Sequence, residues 1–167
     1  PRFAAVAEGI RAALNRCAPH LEVQSVSVGV LVSSPEALVP FHVDAEPNMV
    51  WHVMGTKRIW IYPAMDPELV DRLAMAEIFS GGEEDLPYEP GFDAKAEMIE
   101  LTAGTFVCWP QNSPHRVTNG SEINISLTVS YATPAADRRI LVWSANRWWH
   151  RTFRLPMRPE IEQGIGA

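Results

Sequence analysis

Cysteine is scarce: Cys17 and Cys108 are the only two in 167 residues. One falls in an expected helix and the other in an expected strand, which argues against a disulfide scaffold and for free thiols in a reducing compartment, the cytoplasm. No apolar run approaches the roughly 20 residues that cross a bilayer, so no membrane partner is expected. Internal repeats and low-complexity tracts are also missing, which sets aside solenoids and disordered tails. Among 14 basic residues only Lys57 and Lys95 are lysines. The net charge of -6 repels phosphate backbones, so nucleic acid is not an expected partner except at a local basic patch. The chain opens at Pro1 with neither Met nor a signal-like stretch, and is taken as a mature or trimmed segment.

What is present is an ordinary globular composition, 47% apolar and 20% charged. A chain of this length makes one domain that buries about 65–70 % of its unfolded surface. Three parts are expected: an N-terminal helix in 1–20, a β core in 21–134 and a C-terminal helical segment in 135–167. Phe3, Val6, Ala7, Ile10, Ala13, Leu14 and Cys17 recur at helical spacing, and Pro19 stops them. Between Val23 and Tyr131 the period falls to two, which predicts strands near 23–32, 38–44, 48–54, 57–62, 97–101, 105–109, 114–118 and 123–132. So many short strands with so little helix between them indicate a mainly β jelly roll. One helix interrupts them, expected to open at Asp66-Pro67 and to close at Gly81-Gly82 after Phe79. The acidic stretch Glu83 to Asp93 reads as a solvated surface loop, with a lid over a site as the alternative.

Chemistry concentrates in Pro40-Phe-His-Val-Asp44. His42 and Asp44 lie two residues apart, so on a strand both leave the same face and can share an ion. His115, within Gly104-Thr-Phe-Val-Cys-Trp-Pro110-Gln-Asn-Ser-Pro-His115, supplies a third ligand. Two His and one carboxylate form the facial triad of non-haem Fe(II), which leaves coordination positions open. Asn48 and Lys57 follow on the next two strands, and Lys57 shares its face with Ile59 and Ile61. A lysine on an apolar face needs an anionic partner unless it reaches solvent at the hairpin end.

The segment Phe41 to Pro63 resembles the core of the JmjC and cupin-like 2-oxoglutarate/Fe(II) oxygenases, the asparaginyl-hydroxylase-like group. The matching positions are His42 and Asp44, Asn48 four residues after the Asp, Gly55-Thr56-Lys57, and the distal His115. The resemblance covers roughly residues 23–132 and implies a double-stranded β-helix (jelly-roll/cupin) core with flanking N- and C-terminal helices. It implies an Fe(II) and 2-oxoglutarate-dependent dioxygenase that hydroxylates a protein side chain or small molecule, with Lys57 on the far carboxylate of 2-oxoglutarate. The alternative is a non-catalytic metal-binding cupin with a ligand-sensing or regulatory role.

One departure stands out. Val39 occupies the place where many such hydroxylases carry a Thr or Tyr that bonds the same carboxylate. Asn124 and Tyr131, on the strand after His115, are the replacements expected here. His52 reads as an imidazole satisfied within the core or at the surface, and Arg58 and Arg116 point away by parity. Residues 137–167 carry +3 against -9 for the rest, with Trp143, Trp148 and Trp149 interleaved among arginines. So wide an apolar stripe must pack on the barrel or on a second subunit, and a homodimer through the Arg138 to Phe153 helix is expected.

Overall fold

The computed structural model describes residues 3–154 and Pro156; the expected irregular tail lies almost wholly outside them. Period-two segments separated by turns become eight strands: β1 Ser25–Ser33, β2 Leu38–His42, β3 Asn48–Met54, β4 Lys57–Ile61, β5 Glu97–Leu101, β6 Phe106–Cys108, β7 His115–Asn119 and β8 Asn124–Ala132. They form two four-stranded sheets of order β1-β8-β3-β6 and β2-β7-β4-β5. All pairings are antiparallel. This alternation of strands between two sheets is the jelly roll expected from the pattern. Helix α1 (Ala4–Cys17) precedes the sheets, α2 (Arg72–Phe79) lies between β4 and β5, and α3 (Pro134–Phe153) follows β8. No described helix is long and apolar enough to cross a membrane, and Cys17 and Cys108 are free and exposed.

The β3–β4 turn shows why the motif is Gly-Thr-Lys. Gly55 sits at φ 84, and a Cβ there would lie 2.7 Å from the Ile123 carbonyl oxygen, so both the positive φ and the close approach require glycine. The turn delivers Lys57 to the inner face of the second sheet.

Two helix boundaries differ from expectation. The Asp66 carbonyl accepts from Leu69 N and Val70 N, and its carboxylate accepts from Glu68 N, which closes a single turn. Asp71 is then extended at ψ 146, and its carboxylate takes the amides of Leu73 and Ala74. Two aspartates compete for the cap, and the one with an extended backbone starts α2. Helix α3 begins at Pro134, four residues before Arg138, because Thr133 caps it by accepting from Ala136 N at 3.1 Å.

The stretch 83–93 is largely exposed, as the surface-loop reading expects, and its backbone is tied to the end of β2. Asp85 bridges to His42, Val43 N donates to Glu84 O, and Leu86 N donates to Phe41 O. Unpaired amides and carbonyls at the end of β2 hold it through one isolated bridge. Asp93 then accepts from Tyr62, Tyr88 and Arg116, and the Arg116 guanidinium lies 3.6 Å from the Trp60 ring centre. Arg116 therefore points away from the barrel interior, as its parity required.

The core has two parts. Between the sheets lie Ile59, Leu101, Val107 and Trp109, with Val50, Ile61, Ile99 and Val117 against them. The second part joins Phe41, Val43 and Tyr62 to α2 and to Trp143 of α3. Trp143 is 0% exposed and stacks on Phe79 at 5.7 Å. Ser144 and Arg147 also hold α3 to α2, through Phe79 O and Glu77. The tryptophan stripe is thus divided, because Trp148 and Trp149 remain exposed. Trp143→Ala should cost about 3–5 kcal/mol of unfolding free energy, and Trp148→Ala under about 1 kcal/mol. Urea unfolding of both variants checks this; equal losses would place the core elsewhere.

Candidate metal centre

His42 ends β2 and His115 starts β7, and the two face each other in the β2–β7 register. Their rings lie 4.1 Å apart. Asp44 follows on the same side, with His42 Nε2 3.8 Å from its Oδ1 and His115 Nε2 3.5 Å from its Oδ2. One ligand atom from each residue lies within 4.8 Å of the others, and this is the cluster of metal-binding geometry found among the described residues.

The tautomers follow from the neighbours. His42 Nδ1 is 2.8 Å from Pro40 O and His115 Nδ1 is 3.2 Å from Ser113 O. A carbonyl only accepts, so each Nδ1 carries the proton and each Nε2 turns a lone pair toward the shared space. Asn48 Nδ2 donates to Asp44 Oδ2 at 3.1 Å, and Thr128 Oγ1 donates to Asn48 Oδ1 at 3.0 Å. Asn48 therefore orients the ligand carboxylate. Metal–ligand bonds of about 2.0–2.2 Å place neighbouring donors about 3 Å apart, so slight side-chain movement closes this set around one ion. Two neutral imidazoles and a carboxylate suit Fe(II), Zn or another borderline divalent cation.

Lys57 lies on the barrel's inner face and is 8% exposed. Burial alone lowers its pKa, and among the described residues its ammonium has no carboxylate or hydrogen-bond partner. Ile61 pairs with His115 and Lys57 pairs with Asn119 on the same strands, so about 13 Å of strand separates Lys57 from the metal level. Lys57 and the candidate triad thus lie at opposite ends of the same inner face.

The other expected residues divide. Asn124 is fully buried on the inner face; its Nδ2 donates to Glu122 O and its Oδ1 has no partner. Tyr131 departs from expectation: it shares parity with Val129, which pairs with Met49, whereas the inward Asn48 pairs with Ser130. Its phenol, raised in pKa by burial, senses Cys108 on the outer face. It is therefore not placed to touch a ligand in the barrel. His52 is satisfied inside the barrel, donating from Nε2 to Gly55 O and accepting at Nδ1 from Ser126.

Two residues escaped the sequence reading. Trp109 packs its ring 4.5 Å from that of His115, and Gln111 donates to Ala45 O at 2.8 Å while accepting from Arg139. Gln111 thus ties the loop before His115 to the residue after Asp44. Trp109 was visible as an aromatic in step with Val107; Gln111 carried no signal, because its partner is backbone.

Burial first, and the nearby His42 charge second, push the His115 pKa down to about 4. An unfolded histidine titrates near 6.5, so below that pH the unfolded chain takes up a proton that the folded chain refuses. Stability from this group is complete above about 6.5 and falls as pH drops toward the folded-state value. Urea unfolding of the metal-free chain from about pH 7 to about pH 5 should show this loss, and His115→Gln should flatten the profile. Identical profiles would contradict the assignment.

No protein-family model and no curated protein matches the chain. Solved structures resemble it at low identity. A conserved protein of unknown function from Streptococcus pyogenes matches at 15% identity and TM-score 0.40, covering 65% of each chain. A hydroquinone 1,2-dioxygenase from Sphingomonas sp. TTNP3 matches at 15% and 0.45, covering 65% of this chain and 60% of that one. A Cupin 2 conserved barrel domain protein from Salinispora arenicola matches at 15% and 0.42, covering 70% of both. The chain spans under two thirds of the first two, and its jelly roll is established by its own strand order.

Proposed function

We propose that the chain is an Fe(II)- and 2-oxoglutarate-dependent oxygenase of the cupin-like kind, acting on a protein side chain or a small molecule. The observation that carries this reading is the combination of a His42/Asp44/His115 triad with Lys57, 8% exposed and without a counter-ion among the described residues, on the same inner face. A triad alone would suit any metal-binding barrel. A buried lysine without a counter-ion costs several kcal/mol, so its retention calls for an anion that enters from outside.

His42, Asp44 and His115 would hold the metal on one side and leave the opposite positions to co-substrate and oxygen. Bound there, Fe(II) and 2-oxoglutarate supply the oxidation of a C–H bond to an alcohol, consuming O2 and releasing succinate and CO2. The protein's share is positional. Asn48 fixes Asp44, the Nδ1–carbonyl bonds fix both imidazoles, and the apolar cluster around Ile59, Val107 and Trp109 lowers the polarity of the inner face on which the triad and the lysine lie. About 13 Å of strand, of which the lysine stem spans roughly half, suits a short dicarboxylate. Val39 lines the same face, pairing with Val117, and cannot hydrogen-bond the far carboxylate, so Lys57 carries the anchoring. That same valine is the feature that favours the alternative of a metal-binding cupin without turnover.

Anaerobic addition of Fe(II) and 2-oxoglutarate should produce a weak visible charge-transfer band, and admission of air should release succinate. Asp44→Ala should abolish both. Lys57→Ala should weaken 2-oxoglutarate binding by about 30- to 150-fold, the equivalent of a charge-assisted contact, while metal affinity is retained. Calorimetric titration with Mn(II) in place of iron measures both constants. Equal 2-oxoglutarate affinity in parent and Lys57→Ala would remove that co-substrate from the account.

A further inference from the structure

Asp44 lies where the strand ladder gives out. β2 ends at His42 and β3 begins at Asn48, so residues 43–47 lie outside both strands, and the carboxylate they carry needs other bonds to hold it level with the imidazoles. Backbone bonds fasten the two ends of this connection: Val43 N donates to Glu84 O at 3.3 Å, and Tyr131 N donates to Pro47 O at 3.1 Å. Its middle is held by a side chain, since Gln111 Nε2 donates to Ala45 O at 2.8 Å. Gln111 is itself fixed. Its Oε1 accepts from Arg139 Nη1 of α3 at 3.2 Å, and because a carbonyl only accepts and a guanidinium only donates, the amide lies one way round. The turn that carries Gln111 is buried and bonded within itself: Ser113 N donates to Pro110 O at 3.1 Å, Asn112 is left-handed at φ 72, and Asn112 and Ser113 are each 2% exposed. The same turn supplies the Ser113 carbonyl that fixes His115 Nδ1 and the Pro114 carbonyl that accepts from Tyr62 N.

We propose that Gln111 is a positioning residue of the metal centre, holding Asp44 level with His115 through the Ala45 carbonyl, with Arg139 orienting its amide. The inference rests on the His42/Asp44/His115 triad taking a metal and does not depend on 2-oxoglutarate. Gln111 precedes His115 on a fixed turn, and its partner Ala45 directly follows Asp44, so one side-chain bond links the chain on the two sides of the shared space. Asp44 Oδ2 and His115 Nε2 are 3.5 Å apart, and a metal draws its donors to about 3 Å. A connection free to drift would widen that separation, and binding would then have to order it. Asn48 orients the Asp44 carboxylate; Gln111 sets where the backbone beneath it stands. A role confined to fastening α3 is the weaker account, because Trp143 stacked on Phe79, Ser144 on Phe79 O and Arg147 on Glu77 already hold that helix. If Gln111 only fastened α3, losing it and losing Arg139 would be equivalent. Positioning makes them different.

Calorimetric titration of the full 167-residue chain with Mn(II) alone reads the affinity. Gln111→Met, which keeps the side-chain length and loses both bonds, should weaken Mn(II) binding by about 10- to 100-fold, the range for groups one step removed from a metal. Gln111→Asn keeps the amide but is one methylene too short to bridge Arg139 and Ala45, and should behave in the same way. Arg139→Met leaves the donor to Ala45 O in place and should cost about threefold at most. Melting of the metal-free chains separates positioning from folding: Gln111→Met and Arg139→Met both lose the α3 contact and should melt close together while their metal affinities differ. With Co(II) as the probe, Gln111→Met should change the position and intensity of the visible d–d bands, and Arg139→Met should keep them. Parent-like affinity and spectrum in Gln111→Met and Gln111→Asn, with affinity lost in Asp44→Ala, would overturn this inference and leave the triad standing. Equal losses in Gln111→Met and Arg139→Met would reduce Gln111 to an anchor of α3 and overturn it too. Parent-like affinity in Asp44→Ala would remove the triad, and this inference with it.

Discussion

The site depends on one register, that of β2 against β7. His42 and His115 are distant in sequence and become direct neighbours only because Leu38 pairs with Thr118, Val39 with Val117, and a bulge then brings His42 opposite His115. A slip of one residue would turn an imidazole to the outer face, where Phe41 and Arg116 now lie. That outer face resists the slip. Phe41 is locked edge-on against Tyr62 at 5.0 Å, and Arg116 is held between Asp93 and the Trp60 ring. The candidate metal ligands on one side of the sheet are therefore positioned by aromatic packing and an ion pair on the other.

The division between the sheets follows from the same constraint. The sheet that carries His42, His115 and Lys57 is supported outside by α2, α3 and the 83–93 segment, which bury Phe41, Val43 and Tyr62. The other sheet contributes Asn48, His52, Asn124 and Ser126 to the interior, and its outer face is supported only in part by α1. A polar interior is costly unless its groups are paired. His52 and Ser126 satisfy each other, whereas the Asn124 Oδ1 has no partner and Lys57 has no counter-ion among the described residues.

The strands were legible because alternation and turn residues agree. Gly55-Thr56 and the Asn119-Gly120 turn mark ends that hydrophobicity alone would blur, and His-x-Asp with its parity put two ligands on one face. Less was legible wherever two local signals competed. Asp66 and Asp71 both look like caps, and only the backbone decides between them. The acidic residues of 83–93 read as solvated and are largely exposed, while the backbone bonds that tie the segment to Phe41 and Val43 are not described by composition. Parity across β8 was ambiguous because Asn124, Ser126 and Thr128 alternate with Ile125, Leu127 and Val129, and Tyr131 falls in with the second set. The Gln111 tie to Ala45 is not a property of any one segment, since its two residues lie far apart in the chain.

The central claim is that one barrel face binds a metal at one end and a carboxylate at the other. A crystal structure of the chain grown anaerobically with Mn(II) and 2-oxoglutarate tests it most directly. The account predicts manganese on His42 Nε2, Asp44 and His115 Nε2, with the far carboxylate of the co-substrate on Lys57 Nζ. Manganese bound elsewhere, or a metal-bound ligand whose free carboxylate leaves Lys57 unpaired, would contradict it.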